Sequence, residues 1–446
     1  MKKYYCFLAA ILLVLLSACS SSNKKTNHPN FIILFADDMG YGDLAVYGHP
    51  TIKTPNLDRM AAEGMKFTNF YSGSPACTAS RYALLTGRYP QRSGFSWVLV
   101  PNSKRGIHPD EITLAEGLKE AGYHTAMYGK WHLGTTKIEY LPLQNGFDEY
   151  LGLPYSNDMI PPKWQPIALL DGNDTLEMDP DQTLLTRRYT ERALEFIKKH
   201  KDEPFFIYLP YAMPHVPLNP GEEFAGVSRR GTYGDVIEEI DWSAGQILET
   251  LKEEKIEKNT LVFFTSDNGP WIIKQTLGGS SGLLRDGKGS TWEGGMHEPG
   301  IAWWPGTVPA GNTCLDVSST LDLYASILTL AGAGIPGDRK VDGRDITPHI
   351  LGQHALPESP YFYYGPRKLH AVRLGAWKLH IHTSSQTGAD YFNGKLPLLF
   401  NLNEDPSEKY DLSDQNSEKV KELLEVIKEH EEERVKLGTF WEKNPL

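Results

Sequence analysis

The sequence predicts an α/β protein with a largely parallel sheet flanked by helices, followed by a smaller C-terminal subdomain built on an antiparallel sheet. Three observations carry that expectation. Short apolar runs alternate with segments of helical spacing. Polar or charged residues follow each run, where an open α/β sheet gathers its ligand groups. After Gly343-Arg344-Asp345 the texture shifts to short strand-like segments. A chain of 446 residues is long enough for a large core with a smaller companion.

Taken in order, residues 1–18 open with Met1-Lys2-Lys3, run apolar from Phe7 to Leu16 and end Leu16-Ser17-Ala18 before Cys19. This reads as a secretory signal, with too few apolar residues to span a membrane. The ending resembles a bacterial lipobox, which implies cleavage before Cys19, a lipid on its thiol and a membrane-anchored lipoprotein in the periplasm or at the outer membrane. Residues 19–29, rich in Ser, Asn and Lys, form a tether. The main domain, 30–349, has buried-strand candidates at 31–36, 125–128, 205–209 and 261–264. Helical spacing falls at 55–63, 114–121, 184–199 and 236–252. In the subdomain, 350–446, strand-like segments occupy 361–365, 371–380 and 398–402. A charged helix covers 417–436, its apolar side either on its own domain or open to a partner.

A net charge of −11 argues against nucleic acid as a partner. Of four cysteines, Cys6 leaves with the signal and Cys19 carries lipid, leaving Cys77 and Cys314.

Asp37-Asp38 follow the first run, Lys130-Trp131-His132 the second, His215 the third and Asp267-Asn268 the fourth. Adjacent carboxylates are costly to bury without a cation. Together with Asp267 and the Asn268 amide oxygen they form a hard-oxygen set suited to Ca²⁺ or Mg²⁺ rather than zinc. Alone, each pair reads equally well as a helix cap or an Asn-Gly turn. Arg81 lies one turn beyond Cys77 if a helix begins there. Lys130 and His132, two apart, would share one side of an extended segment. His215 sits between Pro214 and Pro217, which deny it a helix. Lys288 sits between two glycines that permit close approach to a ligand.

The run Cys77-Thr78-Ala79-Ser80-Arg81, continuing through Leu84-Leu85-Thr86-Gly87-Arg88, resembles the C-x-P/A-S-R and T-G-R signature of type I sulfatases. Asp37-Asp38-Met39-Gly40-Tyr41-Gly42-Asp43, Gly129-Lys130-Trp131-His132-Leu133-Gly134 and Ser266-Asp267-Asn268-Gly269 extend the resemblance. So do Asp286-Gly287-Lys288-Gly289, Trp292-Glu293-Gly294-Gly295 and Phe400-Asn401-Leu402 through Asp405-Pro406.

The resemblance implies an alkaline-phosphatase-like fold and a maturase that oxidises Cys77 to formylglycine. It implies one Ca²⁺ held by Asp37, Asp38, Asp267, Asn268 and matured Cys77. Arg81 would hold the formylglycine hydrate, while Lys130 and Lys288 would clamp sulfate. His132 would take the proton that frees the sulfate, and His215 with Lys288 would protonate the leaving alcohol. Val98-Leu99-Val100-Pro101 and 283–289 resemble the arylsulfatase A-like branch, implying a sulfated carbohydrate such as a terminal 3-O-sulfated galactose or a related hexose. A formylglycine-dependent phosphonate or phosphodiester hydrolase, or a silent lipoprotein that binds sulfated glycans, remain the alternatives. Two positions depart from the pattern: Ala79 where many members have Pro, and His297 where relatives often have Arg.

Overall fold

Alternate residues of the central strands face two different helical layers, and this explains why those strands read as unbroken apolar runs. The computed structural model describes residues 28–94, 97–353 and 355–443. The leader 1–18, Cys19 and the tether as far as residue 27 lie outside the described residues. Eleven strands form the main sheet: β1 (Asn30–Ala36), β2 (Met65–Tyr71), β3 (His124–Tyr128), β4 (Glu149–Gly152), β5 (Ala168–Asp171), β6 (Asp174–Met178), β7 (Phe205–Pro210), β8 (Thr260–Ser266), β9 (His297–Trp303), β10 (Asn312–Cys314) and β11 (Ser318–Ser319). The order is β10-β2-β9-β8-β1-β7-β3-β4-β5-β6, with β11 also on β2.

The centre, β8-β1-β7-β3-β4, is parallel, with Phe31 opposite both Phe206 and Leu261. Both flanks turn antiparallel, through β9 and β2 on one side and β5 and β6 on the other. Ile32, Leu34, Ile207, Leu209, Val262 and Phe264 pack under α1 (Pro55–Glu63), α4 (Leu185–His200) and α5 (Thr232–Glu253). Phe31, Ile33, Phe35, Phe206, Tyr208 and Phe263 pack under α2 (Cys77–Thr86), α3 (Leu114–Glu120) and α6 (Thr320–Leu330). A sheet covered on both faces exposes no polar alternation.

Beyond the one-turn helix Thr347–Ile350, the chain builds a second, four-stranded antiparallel sheet from β12 (Tyr361–Tyr364), β13 (Leu369–Leu374), β14 (Trp377–His380) and β15 (Leu398–Asn401). The segment expected as one strand over 371–380 is a hairpin that turns at Gly375, whose φ of +58° suits glycine. The charged helix α7 (Ser417–Leu437) buries Leu423 and Ile427 against this sheet, with Ala83 of α2 in the same cluster. Its apolar side is therefore occupied within the chain. No helix among the described residues is long and apolar enough to cross a membrane.

Candidate active site

The carboxyl ends of β1, β3, β7 and β8 meet because the backbone ladder continues past each strand. The Asp37 N–H donates to Met213 O (3.1 Å), Asp267 N–H to Ala36 O (3.0 Å) and Lys130 N–H to Pro210 O (2.8 Å). Gly129 makes the last contact possible: at φ +139° an added Cβ would lie 1.9 Å from Pro210 O. Helix α2 starts at Cys77, so the thiol sits in its first turn, where the helix favours negative charge.

The side chains interlock. Asp37 Oδ2 accepts from Lys130 Nζ at 2.5 Å and lies 3.5 Å from Arg81 Nη2. Arg81 donates Nη2 to Asp267 Oδ2 (2.9 Å) and Nη1 to Lys130 O (2.9 Å). Its Nε is buried without a partner among the described residues. Asp38, at φ +67°, accepts from Lys288 Nζ (2.7 Å) and Asn268 Nδ2 (2.8 Å), while its own N–H donates to Asp267 Oδ1 (3.0 Å). His215 Nε2 stands 3.7 Å from Asp38 Oδ2.

The expectation for Lys130 and His132 needs correction. His132 has φ +63°, so the segment is not extended there. The N–H groups of residues 130, 131 and 132 go to Pro210, Leu153 and Pro154, threading the chain between the ends of β7 and β4. Lys130 reaches Asp37, whereas His132 Nε2 meets Leu99 O at 2.8 Å and leaves Nδ1 buried and unpartnered.

Three carboxylates and three permanent cations thus share one buried volume. Burial pushes the Asp37 carboxyl up, but Lys130 and Arg81 more than offset this and hold it well below the carboxylate range. Burial and the adjoining Asp37 charge push Asp267 up to about 7. Burial raises the Cys77 thiol. Burial and Lys130 depress His132, and burial with Lys288 depresses His215.

A divalent cation fits this set. Among the described residues Asp37 Oδ1 and Asn268 Oδ1 are buried oxygens without a partner, and ligand atoms of Asp37, Cys77 and Asp267 lie within 4.8 Å of one another. The oxygens are hard donors suited to such a cation, and the Cys77 Sγ lies among them.

Several contributors escaped the sequence reading. Ser156 Oγ accepts from Lys130 Nζ (3.2 Å) and faces His215 Nε2 (3.5 Å), and Asn157 Oδ1 faces His215 Nδ1 (3.0 Å). They follow β4, a strand too short to stand out. Trp271 lies 5.3 Å from the His215 ring and 4.5 Å from Lys288 Nζ. A separate cleft of about 830 Å³, lined by Arg88, Arg92, Glu111, Arg339 and Glu433 among others, holds none of these groups and pairs its charges internally.

Comparison with known proteins agrees with this geometry. Residues 29–333 match the family model Sulfatase, and residues 356–437 match the C-terminal region of aryl-sulfatase. N-acetylgalactosamine-6-sulfatase of Canis lupus familiaris is 40% identical across 94% of this chain and 89% of its own length. Arylsulfatase A of Homo sapiens is 39% identical, covering 93% and 89%. A solved structure from work on the metabolism of multiple glycosaminoglycans by Bacteroides thetaiotaomicron superposes with a TM-score of 0.82 at 30% identity, covering 91% of this chain and 99% of that one.

Proposed function

The chain belongs to the sulfatase family and is a sulfuric ester hydrolase, and from that premise we propose that it removes a sulfate ester from a hexose or hexosamine unit of a carbohydrate. The reading includes formylglycine at position 77 and one bound Ca²⁺. The observation that carries it is Cys77 in the first turn of α2, with Lys130, Lys288, Asp37 and Asp267 acting on its thiol. One relative's name gives position 6 of N-acetylgalactosamine, and the sequence resemblance implied position 3 of galactose, so these are the two esters to compare.

Asp37, Asp38, Asp267 and Asn268 would hold the cation. When bound it would supply positive charge that acidifies the neighbouring hydroxyl and draws in sulfate. Lys130 and Lys288 flank the position-77 side chain and stabilise charge that develops on the sulfate oxygens. Arg81 holds Asp37 and Asp267 in register and would hold the hydrate at position 77. His132, whose Nδ1 has no partner among the described residues, would take a proton from residue 77. His215, oriented through Nδ1 by Asn157 and the Val216 carbonyl (2.6 Å), donates a proton to the leaving alcohol. Apart from Lys288, whose side chain is 13% exposed, these groups are buried, which excludes competing water.

Export and lipid attachment at Cys19 complete the proposal. Cys19→Ala should move the protein from the membrane fraction to the soluble fraction. The deciding experiment is mass spectrometry of the tryptic peptide Phe67–Arg81 from the native host, followed by sulfate release from the 3- and 6-sulfated sugars. An aldehyde in place of the thiol, with turnover, supports the reading. A thiol throughout, with no turnover, overturns it.

A further inference from the structure

Beside the residues that handle sulfate, the turn after Asn268-Gly269-Pro270 presents an aromatic ring and a second cation toward the mouth of the site. The Trp271 indole, half-buried, borders both groups assigned to the leaving alcohol: the His215 ring centroid at 5.3 Å and Lys288 Nζ at 4.5 Å. The sugar that carries the sulfate has to lie where His215 and Lys288 converge, so it lies against this indole. Lys274 Nζ is 4.3 Å from the same ring centroid, is exposed, and has no carboxylate within 4.0 Å among the described residues.

The segment is held from both sides. Arg230 donates to Thr276 O (2.8 Å) and Gly278 O (2.7 Å), and the Ile273 N–H donates to Gln386 Oε1 (2.8 Å) of the C-terminal subdomain. Gln275 sits at φ +56°, ψ −119°, a conformation costly to a side-chain-bearing residue. A surface turn fixed by two separate elements while retaining a strained residue is preorganised for a ligand.

Building on the sulfatase reading, we propose that Trp271 and Lys274 form a subsite that seats a pyranose ring against the indole and an additional anionic group of the substrate, carboxylate or second sulfate, against the Lys274 ammonium. The favoured substrates are then polyanionic saccharides rather than isolated monosulfated sugars. Trp271 supplies an apolar face for the sugar C–H groups. Lys274 supplies a solvated charge whose effect is modest and salt-dependent.

The test uses full-length protein carrying Cys77→Ala, which binds without turnover. Calorimetry compares three disaccharides with the same sulfated hexosamine, joined to a neutral hexose, a uronate, or a hexose bearing a second sulfate. At low salt at least one charged disaccharide should bind about three- to fivefold more tightly than the neutral one. The advantage should vanish with Lys274→Gln and at about 0.3 M salt. Which disaccharide shows it identifies carboxylate or sulfate as the anion. Trp271→Ala should weaken all three about tenfold, and Trp271→Phe should restore most of the loss.

Equal affinity for neutral and charged ligands, or an advantage that survives Lys274→Gln, overturns the subsite. Sulfate release from the neutral disaccharide by matured wild-type protein is read separately. If that release occurs without any charge advantage, the subsite falls and the sulfatase reading stands. If no sulfate is released and no saccharide binds, both fall.

Discussion

Replacing Lys288 by Met removes one ammonium and leaves the stem in place, so two consequences can be separated. Lys288 Nζ lies 2.7 Å from Asp38 Oδ2, with its side chain 13% exposed and that of Asp38 3% exposed. If the ammonium steadies sulfate as charge develops, loss of one preorganised donor raises the barrier by about 2.7–4 kcal/mol, or about 10²- to 10³-fold in kcat. The second effect falls on Asp38. Breaking a buried pair costs about 3–5 kcal/mol, but Asn268 Nδ2 and the His215 ring still face this carboxylate. The loss is therefore nearer about 2–3 kcal/mol, a fall in Tm of roughly 2–3 °C for a chain of this size.

A divalent cation shared by Asp38 would offset part of that loss, so the fall should be larger with chelator than with calcium. Steady-state kinetics on a sulfated sugar and melting curves with and without calcium read both consequences. A loss in kcat below tenfold would remove Lys288 from the sulfate. An identical fall in Tm under both conditions would remove Asp38 from the cation.

Three further outcomes follow from the same geometry. Burial and Lys288 depress His215, so the proton it donates is lost on raising the pH through a value below 6.5. The kcat/KM profile should decline on that side, and His215→Ala should abolish the decline. In the folded protein His215 resists a proton that the unfolded chain accepts near 6.5, so this residue makes stability fall as pH drops below that value, measurable as Tm against pH. Lys378→Met should destabilise by about 3–5 kcal/mol, because Lys378 Nζ is buried between Glu293 (2.8 Å) and Glu408 (2.9 Å); chemical denaturation measures it, and a change within 1 kcal/mol would contradict the argument. Gly129→Ala should abolish activity and lower Tm by several degrees, since its Cβ would meet the carbonyl that receives the Lys130 N–H.

The central strands were legible because burial on both faces leaves an uninterrupted apolar run such as Phe31–Ala36, and the polar residues that close each run mark where the sheet opens to ligand. The flanking strands were not. In β2 the pattern Met65-Lys66-Phe67-Thr68-Asn69-Phe70-Tyr71 mixes faces, and its register shifts between Phe67 and Phe70. β4 to β6 are short and partly exposed, so neither length nor apolarity announces them. For the same reason Ser156 and Asn157, which follow β4, went unrecognised. Asp37, Asp38, Asp267 and Asn268 could be singled out as hard oxygen donors from residue type and position after their strands, whereas sulfate roles for Lys130 and Lys288 came only from the resemblance to type I sulfatases. Trp271 and Lys274 could not, since an aromatic and a lysine after Asn-Gly-Pro signal nothing until the fold sets them against His215 and Lys288.

The smaller subdomain belongs to the chemistry rather than standing beside it. Gln386 Nε2 donates to the Lys288 carbonyl (2.8 Å) and to Pro270 O (3.2 Å), and the Lys288 N–H donates to that same Pro270 oxygen (2.9 Å). One side chain from the loop between β14 and β15 therefore holds the backbone at both Pro270 and Lys288. Deeper in, Glu293 accepts from Tyr71, Tyr363 and Lys378, and its N–H donates to Glu408, joining β2, β12 and β14 to the turn that follows Lys288. Gly295 O at the end of that turn accepts from the Gly269 N–H, one residue past Asn268. A continuous set of hydrogen bonds and short backbone links thus runs from the second sheet to Asn268, one of the residues proposed to hold the cation. His297 stands in this network, its Nδ1 3.0 Å from Glu293 Oε2. The Glu293 carboxyl, raised by burial but held well below its ordinary range by Lys378 and His297, keeps the joint intact at neutral pH and gives it up only as the pH falls well below 4.5. Acid should therefore act in two stages, first lowering stability as His215 takes a proton and silencing the enzyme only when the joint gives way. Gln386→Ala should reproduce neither stage while lowering kcat, because it loosens Lys288 without touching a titrating group.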